Sequence, residues 1–218
     1  MYKTVVFDLD GTLLNTLEDL TDAVLYIQKK FDFPLHNIEL VRQHVGNGIR
    51  KLIIRSIPDG EDNPRFEEVY QEFLDYYQKN CQVKTRAYDG IMELLKELHE
   101  SNIKMAIVSN KAHGAVDELN EIYFKDYIKV AIGENEVAGI KKKPAPDSVF
   151  HALKLLGSKK EEAVYVGDSE VDRATAENAG MDCVLCSWGF RERELLEGLK
   201  PIAIIDEPKD LLKIITDK

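Results

Sequence analysis

Short apolar runs alternate with helical stripes from about Thr85 onward, and this alternation constrains the fold more than any other feature of the sequence. The runs are Lys104–Val108, Val130–Ile132, Ala163–Val166, Cys183–Cys186 and Ile202–Ile205. Between them Ile91, Leu94, Leu95 and Leu98 recur at helical spacing, as do Val149, Leu153 and Leu156. The Ala174–Ala179 stretch is a further helix, with Gly180 as its C-cap, and Leu211–Ile215 is a last one. Repeated strand–helix units predict a parallel sheet with right-handed crossovers and helices on both faces. One more run, Val5-Val6-Phe7, stands near the start and has the continuous apolar character of a strand covered on both sides.

The stretch between lacks strand-like runs. Leu17, Leu20, Val24 and Ile27 lie at helical spacing behind Thr16 as N-cap, with Glu18 and Asp19 in the first turn. Val69, Phe73, Tyr76 and Tyr77 form a second apolar stripe. Phe33-Pro34, Val45-Gly46-Asn47-Gly48 and Pro58-Asp59-Gly60 are breaks. The predicted organisation is a Rossmann-like α/β core over residues 1–14 and 85–218, carrying an inserted all-helical domain over 15–84.

Composition excludes several classes of function. Over 218 residues, 29 basic and 39 acidic side chains leave a net charge of −10, whereas a nucleic-acid binder needs a basic stripe. The first apolar run stops at Asp8, too soon for a signal-peptide core, and no run approaches a membrane span, so the expected compartment is the cytoplasm. The three cysteines are odd in number. Cys183 and Cys186 have C-x-x-C spacing, but on a strand they point to opposite faces and read as core residues. The five histidines form no metal-like cluster.

The chemistry concentrates at strand ends. Val5-Val6-Phe7 ends in Asp8-Leu9-Asp10-Gly11-Thr12, and ligands of open α/β sheets bind at the C-terminal ends of strands. Two carboxylates about 4 Å apart repel by about 4 kcal/mol at an effective dielectric near 20. A divalent cation removes that cost, and oxygen-only ligands favour Mg2+. An EF-hand loop is excluded, because Thr12 and Leu13 stand where it needs Asp or Asn and then Gly. Two more runs end in polar clusters, Ser109-Asn110 and Gly167-Asp168-Ser169. Each taken singly suits a helix N-cap. In a parallel sheet all three converge on one crevice.

Asp8-Leu9-Asp10-Gly11-Thr12, Ser109-Asn110, Lys143-Pro144 and Gly167-Asp168-Ser169-Glu170-Val171-Asp172 resemble, in order, the four motifs of the haloacid dehalogenase-like phosphatases. Val45-Gly46-Asn47-Gly48 with Ile49–Leu52, and Ser109-Asn110-Lys111, are similar to the phosphoglycolate phosphatase branch. The resemblance implies that Asp8 is the nucleophile forming an aspartyl-phosphate and Asp10 the acid and base. Ser109, Asn110, Gly11, Thr12 and nearby amides would hold phosphate, and Lys143 would neutralise charge. Mg2+ would sit on Asp8, the Asp10 carbonyl and Asp168, with Asp172 in support. The insert would be a helical cap closing over the site, where Asn47, Arg50 and Arg42 meet a substrate carboxylate. The expected partner is a small phosphorylated metabolite, most simply 2-phosphoglycolate, acted on by a monomer or homodimer with no nucleic-acid or membrane partner. A phosphosugar mutase similar to β-phosphoglucomutase and an inorganic pyrophosphatase are the enzymatic alternatives, and a phospho-aspartate signalling or binding protein the non-enzymatic one.

Overall fold

A computed structural model of the chain describes residues 1–135 and 139–216. Met1–Leu13 with Ala87–Lys218 form one compact unit and Leu14–Arg86 a second. The first unit begins with β1 (Thr4–Phe7), buried along its whole length as its apolar run requires.

The second unit comprises β2 (Leu14–Asn15), α1 (Leu17–Lys30), α2 (Ile38–His44), α3 (Ile49–Ser56), a 3-10 turn at Gly60–Asp62, α4 (Phe66–Asn80) and β3 (Arg86–Ala87), the last reaching one residue past its boundary. Its core is built where α1 meets α4, with Leu20, Val24 and Ile27 buried alongside Val69, Phe73 and Tyr77. Tyr76 departs from the expected stripe: it lies off the core and stacks on Tyr26, with ring centroids 4.1 Å apart. Thr16 occupies the N-cap position of α1 but makes no side-chain cap bond; Asn15 Oδ1 instead accepts from Leu17 N at 3.3 Å. Asp19 does more than complement a helix dipole. Buried to 2% exposure, it accepts from Lys84 N, Thr85 N and Thr85 Oγ1, tying the end of this unit to its first helix. Those bonds satisfy a carboxylate that burial would otherwise penalise.

The first unit continues through α5 (Ile91–Glu100), β4 (Lys104–Ala112), α6 (His113–Tyr123), β5 (Val130–Glu134), α7 (Asp147–Leu156), β6 (Ala163–Gly167), α8 (Glu170–Ala179), β7 (Asp182–Cys186), α9 (Arg193–Gly198), β8 (Ala203–Ile205) and α10 (Asp210–Thr216). Its sheet is parallel, in the order β5-β4-β1-β6-β7-β8, so the α/β Rossmann-like reading holds. Val6 pairs with Ala106 on one side and Tyr165 on the other. The strand order therefore reverses at β1, and a crevice opens at the C-terminal ends of β1, β4 and β6. Strand β4 runs further than expected. A register irregularity between Val108 and Ala112 lets it resume pairing with β5 after Ser109-Asn110-Lys111, which therefore sit on strand backbone. Cys183 and Cys186 are buried free thiols of β7, as core residues should be. Among the described residues no helix is long and apolar enough to cross a membrane.

Candidate active site

Asp8 follows directly on β1, and its amide extends the ladder by donating to Val166 O at 2.9 Å. The side chain thus projects from the sheet into the crevice. Lys143 reaches it from the loop before α7, with Nζ 2.7 Å from Asp8 Oδ1 and 2.8 Å from Asp172 Oδ1. The lysine backbone is clamped by Asn110, whose Nδ2 donates to Lys143 O at 3.1 Å while Lys143 N donates to Asn110 Oδ1 at 2.7 Å. The second motif therefore positions the third.

Asp172 uses both carboxylate oxygens. Oδ1 takes Lys143 Nζ and the Tyr165 hydroxyl at 3.1 Å, and Oδ2 takes Asp168 N, Ser169 N and Ser169 Oγ at the start of α8. It is fully buried, yet its carboxyl lies below the ordinary range. Burial alone would raise it, and the Lys143 ammonium and the Ser169 bonds outweigh that. Lys143 is correspondingly pushed well up, with Asp172 and Asp8 outweighing its desolvation.

Asp168 sits in a tight cradle. Phe190 N donates to its Oδ2 at 2.7 Å. Gly11, at φ +86°, passes so close that a Cβ there would fall 2.4 Å from Asp168 Oδ2, and one on Gly189 would fall 2.3 Å from Asp168 Cβ. Only glycine fits both places. Burial, then the nearby Asp172 charge, push the Asp168 carboxyl up to about 7. Asp8 is likewise raised well above its usual range, by burial first and Asp172 next, against the opposing pull of Lys143. One oxygen from each of Asp8, Asp168 and Asp172 lies within 4.8 Å of the others. Three buried carboxylates around one ammonium leave excess negative charge, and the donor set of hard oxygens fits Mg2+.

Asp10 stands at the mouth of the crevice, with Lys111 Nζ 3.0 Å from its Oδ1 and Ser109 Oγ donating to its Oδ2 at 3.4 Å. Thr12 is buried, and its carbonyl accepts from Trp188 Nε1 at 3.0 Å. The core unit thus gathers Asp8, Asp10, Gly11, Thr12, Ser109, Asn110, Lys143, Asp168 and Asp172 at one end of its sheet. Asn47, Arg50 and Arg42 belong to the second unit. There Asn47 Oδ1 accepts from Arg55 Nη2 at 2.6 Å, and Arg50 pairs with Glu61 at 3.0 Å and Glu67 at 2.8 Å over the Phe66 ring. Arg42 pairs with Glu39 at 3.0 Å.

Two members of the cluster carry no role in the sequence reading. Lys111 was legible only as the third residue of a motif. The Tyr165 hydroxyl, 3.1 Å from Lys143 Nζ, signals itself faintly as a polar tip in an otherwise apolar strand.

Comparison with known proteins agrees with this architecture. A sequence model of the haloacid dehalogenase-like hydrolases matches residues 5–186. Phosphoglycolate phosphatase 1 of Pseudomonas aeruginosa is 32% identical over 216 residues, covering 96% of this chain and 78% of that protein. The phosphoglycolate phosphatase of Chromobacterium violaceum is 29% identical over 216 residues, covering 97% and 96%. The crystal structure of a proposed phosphoglycolate phosphatase from Lactobacillus delbrueckii subsp. bulgaricus superposes with a TM-score of 0.93 at 33% identity, covering 100% of this chain and 99% of that one.

Proposed function

The chain belongs to the haloacid dehalogenase-like hydrolases, and from that premise we propose that it is a Mg2+-dependent phosphatase of small phosphate monoesters, acting on 2-phosphoglycolate. The observation that carries this reading is the buried Asp8 carboxylate held 2.7 Å from the Lys143 ammonium at the strand-order reversal. An anionic nucleophile approaching a phosphate dianion needs such neutralisation fixed in place beforehand.

In the reaction Asp8 attacks phosphorus and forms an aspartyl-phosphate, dividing a very slow hydrolysis into two steps. Asp10 gives a proton to the departing oxygen, then takes one from the water that cleaves the acyl phosphate. Lys143 neutralises charge on Asp8 and on the phosphoryl oxygens, and Ser109 with the Gly11 and Thr12 amides holds those oxygens. Asp8 and Asp168, with the Asp10 carbonyl, would hold Mg2+, which when bound screens the charge between nucleophile and phosphate. Asp172 and Asn110 serve by positioning Lys143, since their polar atoms are engaged with it and with α8.

The 2-phosphoglycolate assignment is supported by the relatives of that name. The Leu14–Arg86 unit is assigned as the cap, with Asn47 and Arg50 meeting the substrate carboxylate; Arg50 would exchange one of its two glutamate partners to do so. The enzyme is placed in the cytoplasm as a monomer or homodimer.

Phosphate release is to be measured with Mg2+ over 2-phosphoglycolate, hexose phosphates, pyrophosphate and 4-nitrophenyl phosphate. A strong, EDTA-sensitive preference for 2-phosphoglycolate is expected. Asp8→Asn should lose all turnover while keeping its melting transition. Turnover by Asp8→Asn would overturn the mechanism, and preference for another ester would overturn the substrate.

A further inference from the structure

Among the described residues the buried lysines are Lys111 and Lys143, and their surroundings differ. Lys143 faces the nucleophile and the positioning aspartate. Lys111 faces Asp10, with Nζ 3.0 Å from Oδ1 and a side chain only 4% exposed. Its backbone is fixed on β4, and its amide donates to Ser109 Oγ at 3.1 Å. The chain therefore spends a desolvated ammonium at the carboxylate that handles the leaving group, a costly placement for a purely structural pair.

The geometry points to Lys111 as a specificity-determining residue that recognises an anionic substituent on the leaving alcohol, the carboxylate of an α-hydroxy acid phosphate. This rests on the proposed role of Asp10 as the acid for the departing oxygen. A proton donor lies about 3 Å from the atom it protonates. With Asp10 Oδ1 as the proton-transferring oxygen, the Lys111 ammonium, 3.0 Å from it, lies no more than about 6 Å from the ester oxygen. A carboxylate one methylene from that oxygen extends about 3 Å toward it. Such a group enters a crevice already holding Asp8, Asp10, Asp168 and Asp172. Lys143 and Mg2+ serve the phosphoryl side, so a cation on the leaving-group side, beside the Arg50 assigned to the cap, favours its entry. Lys111 supplies that cation from the same unit that carries Asp8.

The test compares 2-phosphoglycolate with ethyl phosphate, which replaces the carboxylate by a methyl group. kcat and KM are measured with Mg2+ for the wild type, Lys111→Met, Lys111→Gln and Lys111→Arg, with a thermal melt of each to confirm folding. Gln keeps a donor for Asp10 and loses the charge, whereas Arg keeps the charge. The ratio of kcat/KM for 2-phosphoglycolate over ethyl phosphate should fall about 10- to 100-fold in Lys111→Met and Lys111→Gln, mainly through KM for 2-phosphoglycolate, and recover in part in Lys111→Arg. A ratio unchanged by Met and Gln, with both substrates losing activity in parallel, would show that Lys111 acts only through Asp10 and would overturn the inference. A wild type that turns over ethyl phosphate as well as 2-phosphoglycolate would overturn the substrate assignment along with it, an outcome visible before any variant is made.

Discussion

Removing Lys143 should unfold the core unit well before the wild type unfolds, and the reason lies in what it leaves behind. Lys143 is 2% exposed in its side chain, and its partners Asp172 and Asp8 are 0% and 11% exposed. In Lys143→Met the methionine fills most of the volume, so the loss is electrostatic: two carboxylates stay buried without their cation. Breaking a buried pair by deleting one partner costs about 3–5 kcal/mol. For a chain of this size that lowers Tm by roughly 10 °C, at 2–4 °C per kcal/mol. Scanning calorimetry in EDTA is the assay, because a bound cation would mask the effect. Asp172→Asn and the double variant complete a cycle, in which the double variant should be more stable than the sum of the two losses predicts. A Lys143→Met protein within about 1 kcal/mol of wild type, or a coupling energy near zero, would refute the reasoning, since both follow from charge left unpaired.

Further outcomes concern the cation site. With the folded Asp168 carboxyl raised to about 7, the native state keeps a proton that the unfolded chain has already released above its ordinary range. Stability in EDTA from this group is then fully present below about pH 4 and is lost as pH rises through 7, at up to about 1.4 kcal/mol per pH unit. Asp8 acts in the same direction. Urea midpoints from pH 4 to 8 should fall less steeply in Asp168→Asn than in wild type; parallel profiles would contradict the assignment. Gly11→Ala should raise the Mg2+ concentration for half-maximal activity about tenfold or more, because its Cβ would displace the Asp168 carboxylate. Gly114→Ala, whose Cβ meets nothing within 4 Å, is the matched control and should leave the Mg2+ titration unchanged.

The sequence by itself determined the α/β class, most strand positions and the acidic and basic residues of the crevice. A parallel strand covered on both faces must be an apolar run, and a charge at its end breaks that run visibly, as Asp8 and Asp168 do. Contacts made by residues far apart in the chain left no such mark. Periodicity says nothing of which lysine a carboxylate meets, so the Lys143 contact to both Asp8 and Asp172 depends on the strand order and on the Asn110 clamp that holds the Lys143 backbone. The clamp of Asn110 on Lys143 spans 33 residues, and the meeting of Lys111 with Asp10 spans 101. The register irregularity in β4, which continues the strand past Ser109, depends on pairing with β5. Local physics wrote the pattern of burial into the chain, and the tertiary assembly of the strands with the loops and helices that follow them decided which charges would be neighbours.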